Sequence, residues 1–198
     1  VNFLAHCALA SRHPEYLVGG ILGDFIKGGV PTDLPRRIQI GIRLHRRLDA
    51  LSAVQPDIKS SVARFPADLR RVAPIFVDLV ADHFLARHFE YVHTEPLAAF
   101  ANRAYTTLTD HIEQFPPPAR RLVRYLKEYD VFSRYVELDT VGRVFTRIGE
   151  RLGLDGIVTP AMTAFADNYT DLEADFLRYY PALARHADEW LAAAESSQ

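Results

Sequence analysis

This 198-residue sequence predicts an all-α fold, a single-domain helical bundle spanning residues 1–198. Three observations lead there. Apolar residues recur at helical spacing almost throughout. No run of alternating β-branched residues appears, and no Asn-Gly or Asp-Gly turn joins two such runs. Prolines 14, 56, 74, 96, 118 and 181 fall where the first turn of a helix is expected, since a proline there gives up no intrahelical bond.

Taken in order, a short helix covers about Phe3 to Ser11. A second runs from Pro14 to Lys27 and stops at Gly28-Gly29. A third, about Leu34 to Ala53, carries Ile38, Ile42, His45, Leu48 and Asp49 at helical spacing. Pro56 opens a fourth that ends near Phe65-Pro66. The fifth, Val72 to Val92, is the most apolar. Then come Pro96 to Gln114, Pro118 to Glu128, Ser133 to Leu152 and a long helix from Thr159 to Tyr179. Pro181 begins the last. Connections are short, and no linker or internal repeat divides the chain, so one domain is the economical expectation.

The apolar fraction of 48% is enough for a full core. The longest apolar runs are too short to cross a membrane, so no membrane partner is expected. Val1 to Ala10 shows no basic segment and no cleavage site of a secretory signal. The single Cys7 has no internal disulfide partner, which fits a cytoplasmic setting. The net charge of −2 hides an asymmetry: Arg36 to Arg71 holds nine Lys/Arg against three Asp, and Glu150 to Gln198 holds nine Asp/Glu against three Arg. The first stretch reads as a patch for an acidic partner, the second as a solvated acidic face. A pI near 6.5, and a basic stretch with Phe65 as its one aromatic residue, argue against nucleic acid.

Seven of the eight histidines lie within the first 111 residues, several sharing apolar helices with aspartates. Imidazole and carboxylate together are the ligands of Mn²⁺, Fe²⁺ or Mg²⁺. Asp24, between Leu22 and Phe25, would face a core or cleft and needs compensation from a metal or from a cation such as Lys27. Asn2 and His6 are four apart on one helix face, and His6 reads as a ligand or as a core histidine bonded to a carbonyl. His45 and Asp49, and Asp78 and Asp82 with His83 following, are also four apart, the spacing that brings two ligands to one ion or lets one orient the other. Lys27, Arg46, Arg47, Arg70 and Arg71 are candidates for phosphate or an acidic surface, against the alternative of a solvated face. His13, His93, His111 and His186 sit in polar contexts and read as surface residues. No phosphate-cradling glycine loop, Gly-x-Ser-x-Gly elbow or His-Glu-x-x-His is present.

The opening Asn2-Phe3-Leu4-Ala5-His6 resembles the start of the bacterial acyl-carrier-protein phosphodiesterases. So do Gly23-Asp24-Phe25, Leu44-His45-Arg46-Arg47-Leu48-Asp49, Arg70-Arg71-Val72-Ala73-Pro74, Asp82-His83-Phe84-Leu85 with Arg87-His88, and, near the end, Leu172-Glu173, Phe176 and Tyr180-Pro181. That resemblance implies an all-helical relative of the HD-type metal phosphohydrolases. It implies a divalent cofactor, Mn²⁺ first and Mg²⁺ or Fe²⁺ as alternatives, and removal of 4′-phosphopantetheine from holo acyl carrier protein, a step in fatty-acid metabolism. It places Asp24, His45, Asp82 and His83 on the family's motif positions. The usual His-Asp dipeptide is absent: Arg46 follows His45, and Asp82-His83 has the reverse order.

The expected site therefore has His6, Asp24, His45, Asp82 and His83 as the ligand pool. Asp24, Asp49 and Asp78 are its catalytic or supporting carboxylates. Arg46 and Arg47 hold the phosphate, and the arginines from Arg36 to Arg71 dock the acidic carrier. Two other readings stay open: an HD-like hydrolase of a small phosphate ester or nucleotide, and a non-catalytic carrier-binding protein.

Overall fold

The computed structural model describes residues 2–196 and is helical throughout, with no strand among them. Twelve α-helices follow one another: α1 (Phe3–Leu9), α2 (Pro14–Leu22), α3 (Arg36–Ser52), α4 (Pro56–Ala63), α5 (Ala73–Arg87), α6 (Phe89–Val92), α7 (Leu97–Asp110), α8 (Pro117–Glu128), α9 (Val131–Arg134), α10 (Leu138–Leu152), α11 (Val158–Asp167) and α12 (Tyr169–Ser196). Short 3₁₀ turns cover Ala67–Leu69, Ile112–Gln114 and Asp155–Ile157. Among the described residues, no helix is long and apolar enough to cross a membrane.

α5 is the centre. Phe76, Leu79, Val80, Phe84 and Leu85 are buried on several sides of it, which is the pattern of a helix surrounded by others. It packs against α1, α4, α10, α11 and α12. The buried apolar side chains of these helices join one cluster with those of α2, α3 and α7.

α2 and α3 approach almost backbone to backbone. A Cβ at Gly19 would lie 2.4 Å from the Ile38 carbonyl oxygen, and one at Gly41 would lie 2.3 Å from that of Tyr16. Only two residues without side chains allow this crossing. It presses the His45 stretch of α3 against the end of α2.

Four expected boundaries move. α2 stops at Leu22 rather than Lys27, because the amides of Phe25 and Ile26 both turn back to the Leu22 carbonyl. Asp24 thus lies in a turn beyond the helix, not inside it. The expected fifth helix breaks at His88 into α5 and α6. The stretch from Ser133 to Leu152 divides into α9 and α10. The largest difference is at the C-terminus, where the break comes at Asn168 and α12 runs unbroken through Pro181. A proline in a helix interior costs about 3 kcal/mol. Phe176, Tyr179, Tyr180 and Leu183 are all buried around it, and their packing carries the helix across.

Candidate active site

Three elements bring the polar cluster together: the face of α1 with His6, the turn after α2 with Asp24, and the C-terminal half of α3 with His45 and Asp49. His6 and His45 are buried, and their rings stack 3.8 Å apart. Asp49 links them. His6 Nε2 is 3.1 Å from its Oδ1, and His45 Nε2 is 3.2 Å from its Oδ2. Asp24 approaches from the other side, with Oδ1 3.6 Å from His45 Nε2. Both carboxylates are about half exposed, at 47%, so the cluster reaches solvent through them.

The His45 ring is fixed from behind. Its Nδ1 donates to the Gly20 carbonyl at 2.7 Å, which leaves Nε2 aimed at the carboxylates. Room for the ring comes from Gly23, where a Cβ would fall 2.2 Å from the imidazole. The turn itself is held down by Arg46, whose guanidinium donates to the carbonyls of Ile26 and Gly28 at 2.5 and 2.7 Å.

The charges in the cluster are interlocked. Burial would lower the His45 pKa, but the contacts with Asp24 and Asp49 outweigh it and raise it to about 9. Burial lowers His6 to about 4, against the pull of Asp49. Burial would raise both carboxyls, yet the His45 bond holds Asp24 down, and His45 with His6 holds Asp49 well below the usual carboxylate range. Two ionised carboxylates and two imidazoles thus converge on one point. His6, His45 and Asp49 offer ligand atoms within 4.8 Å of one another, the one such His/Cys/Asp/Glu group among the described residues. That donor set, two imidazole nitrogens and carboxylate oxygen, suits Mn²⁺, Fe²⁺ or Zn²⁺.

A cavity of about 580 Å³ opens beside the cluster. Asp24, Lys27, Asp49 and Asp78 are among its polar lining, with the buried Ser52, whose hydroxyl has no hydrogen-bond partner. Much of the remaining wall is apolar, from Ile75, Leu79, Leu122, Leu126, Val144 and Ile148. The volume is that of a small-molecule site.

Not every expected residue reaches this place. Asp82 is fully buried, and its two oxygens accept from the backbone amides of Leu4 and Ala5 at 2.9 and 3.0 Å. It caps the first turn of α1 from α5, a scaffold role that its position in a motif does not distinguish from metal binding. Burial pushes its pKa up to about 7, against the pull of the two amides. His83 is buried between the Tyr135 carbonyl and the Tyr169 hydroxyl, at 2.7 and 2.9 Å. Asp78 lines the cavity, one turn before Asp82.

Of the cations, Lys27 lines the cavity. Arg46 holds the turn, and Arg47 donates to His186 at 2.7 Å; neither is among the residues that line the cavity. Arg70 and Arg71 are exposed, a few residues ahead of the Pro74–Ile75 wall. Arg64, expected on a free basic face, instead holds the fully buried Asp175 and the exposed Asp171. The C-terminal acids are therefore not all a solvated face. Asp175 also accepts from Ser61 at 2.9 Å and from Arg178, tying α4 to α12. His93, expected at the surface, is half-buried on Phe89 and meets the Tyr180 hydroxyl at 3.1 Å. The glycines at 19, 20 and 41 and the hydroxyl of Ser52 were not singled out by the sequence, and Gly23 entered only as part of a motif, with no role of its own. Small residues four apart at 19 and 23 are the signal that was available.

An all-helical chain with a histidine–aspartate cluster at the mouth of a mostly apolar cavity has the donor set that metal-dependent hydrolases use. The comparisons make this specific. A family model described as "Acyl carrier protein phosphodiesterase" matches residues 1–183. A protein of that name from Serratia proteamaculans is 32% identical over 190 residues, covering 96% of this chain and 98% of the relative. One from Yersinia pestis is 34% identical over 188 residues, covering 94% and 97%. The chain belongs to the acyl carrier protein phosphodiesterase family, and is an enzyme of the phosphodiesterase class. No solved structure matches it.

Proposed function

We propose that this protein hydrolyses the phosphodiester between pantetheine phosphate and a serine of an acyl carrier protein, releasing apo carrier and 4′-phosphopantetheine. The observation that carries the reading is the cluster of His6, His45, Asp49 and Asp24 at the mouth of a cavity that can take the pantetheine arm.

His6, His45 and Asp49 would hold a divalent cation, Mn²⁺ first, with Asp24 beside them. When bound, the cation supplies Lewis acidity to the phosphoryl oxygens and acidifies a water. The chain's own groups do the rest. Gly20 and Gly23 fix the His45 ring, so Nε2 faces the place the cation would take. Asp24 is ionised and half exposed, and it accepts the proton of the attacking water. The Lys27 ammonium offsets the negative charge of the diester. Ser52 Oγ offers the arm a hydrogen bond, and the apolar wall removes water from around it.

The test is release of 4′-phosphopantetheine from holo carrier protein by chelator-treated enzyme, before and after Mn²⁺ is restored, with nucleotides as competing substrates. Full activity after chelation refutes the cation. Faster turnover of nucleotides than of holo carrier refutes the substrate.

A further inference from the structure

Resting on the carrier-protein reading, a second place on the molecule gains a role. A shallower depression of about 360 Å³ adjoins the active-site cavity, and Tyr125 and Val131 line both. Arg134, Arg143 and Arg147 also line it. We propose that this face, formed by the end of α8 with α9 and α10, is where an acidic carrier protein docks while its arm lies in the cavity.

Three features support this occupant. The first is charge. Three guanidinium groups line the depression against one carboxylate, Glu150. Glu137 lies beside them, with Oε2 3.1 Å from Arg134 and 3.8 Å from Arg143. A carboxylate held between two arginines fixes their direction without cancelling three. Arg147 is steadied differently: its guanidinium carbon lies 4.0 Å from the centre of the Tyr125 ring. Ordered arginines lose little freedom when a carboxylate arrives, and they accept it bidentately.

The second is apolar exposure. Tyr129, Val136 and Leu138 are among the large apolar side chains left exposed, and they fall within one ten-residue stretch. Val136 and Leu138 flank Glu137 in sequence. Arginines mixed with exposed aliphatic and aromatic groups suit an amphipathic acidic helix better than a nucleic-acid backbone, which would leave the apolar groups uncovered.

The third is continuity. The bond to be cut joins the partner's own serine to phosphate, so the partner's surface must reach the rim of the cavity. Tyr125 and Val131 form that shared rim here. The basic stretch from Arg36 to Arg71, by contrast, spends Arg46, Arg47 and Arg64 on internal contacts.

The experiment pairs turnover with binding. KM and kcat are measured on holo carrier protein, and Kd on the apo carrier, at low and high salt. The proteins are the wild type, Arg143→Glu/Arg147→Glu, Arg143→Lys/Arg147→Lys and Arg70→Glu/Arg71→Glu. Charge steering changes association by factors of about 10–10³. The double reversal should therefore raise KM and Kd by about tenfold or more, with the loss on KM rather than kcat. It should also flatten their salt dependence. The lysine pair, which keeps the charge, should recover most of the binding and checks that the fold survives. Unchanged Kd in the glutamate pair overturns the inference. So does a loss seen only with Arg70→Glu/Arg71→Glu, which would move docking to the other side. Wild-type self-association abolished by the reversal would assign the face to a second copy instead. Wild type that binds apo carrier through this face yet releases nothing from holo carrier would refute the hydrolase reading alone.

Discussion

At the scale of single residues, the site is built by what is missing as much as by what is present. His45 can lie where it does because position 23 has no Cβ and position 20 turns its carbonyl to Nδ1. Gly23 has ordinary helical φ and ψ, so alanine there is not strained by its backbone. It would instead push a methyl group into the imidazole. Gly23→Ala should keep the helical circular-dichroism spectrum and lower kcat on holo carrier protein by about 10²-fold, the scale of loss when a catalytic group moves by about 1 Å. Retention of kcat in a folded variant would show that the ring position is unimportant. Asp24→Ala has a different basis. It removes the half-exposed carboxylate and leaves the His6–Asp49–His45 unit standing. Turnover should fall by at least about 10²-fold while Mn²⁺ still binds, which separates a proton acceptor from an indispensable ligand. Isothermal titration with Mn²⁺ checks the second half. Some of this was legible in the sequence. The spacing of His45 and Asp49 put them on one helix face, and so they are. That His6 stacks on His45 was not legible, because it depends on how α1 lies against α3, and no local spacing encodes that.

At the scale of helices, Asp82 shows how a motif can mix chemistry with support. α1 has only seven residues and no side-chain cap of its own. A helix that short is marginal without help. Asp82 supplies the help from α5 by accepting two of its orphan amides, and α1 in turn carries His6. Asp82→Ala should cost about 2–4 kcal/mol in urea unfolding, since it strands two buried donors. It should leave Mn²⁺ affinity in the surviving folded fraction within a few-fold. A complete loss of metal binding with little loss of stability would return Asp82 to the ligands. The sign with pH also follows. The Asp82 pKa in the fold lies near 7, above its unfolded value of 3.8. A raised pKa contributes stability in full below the unfolded value, and the contribution is lost as pH rises through about 7. Stability should thus fall between about pH 4 and 7 more steeply in the wild type than in Asp82→Asn, and the difference should level off above that. The helix boundaries teach a related point. Prolines 56, 74 and 96 mark helix starts as propensity predicts. Pro181 does not, because the buried aromatic residues on both sides of it outweigh one lost hydrogen bond. A reader of local sequence sees the proline and not the packing. The same blindness assigned Arg64 to a free face: its partner, Asp175, lies 111 positions away.

For the molecule as a whole, the cluster is a joint. It connects α1, the turn after α2, and α3, which follow one another within the first 52 residues and are otherwise held by apolar packing and by the glycine crossing of α2 on α3. A cation held by His6, His45 and Asp49 would bind the folded chain and not the unfolded one. It must then stabilise the fold by RT ln(1 + [M]/Kd), about 2.7 kcal/mol at a hundredfold excess over Kd. For a chain of this length that corresponds to a rise in melting temperature of roughly 5–10 °C. The same shift should vanish in His45→Ala and in Asp49→Asn, which remove one donor each. In Asp24→Ala it should persist, and in His83→Gln it should also persist, because both ring nitrogens of His83 are already bonded, to Tyr135 and Tyr169. The order of Mn²⁺, Fe²⁺ and Mg²⁺ in the size of the shift then reports affinity without any substrate. Two imidazoles favour Mn²⁺ and Fe²⁺ over Mg²⁺, which prefers oxygen and keeps its water. Scanning calorimetry on chelated and metal-loaded wild type and the four variants settles the ligand set. Equal shifts in wild type and His45→Ala would place the cation elsewhere. A shift lost in His83→Gln but kept in Asp49→Asn would place it at the motif histidine that the fold directs toward Tyr135.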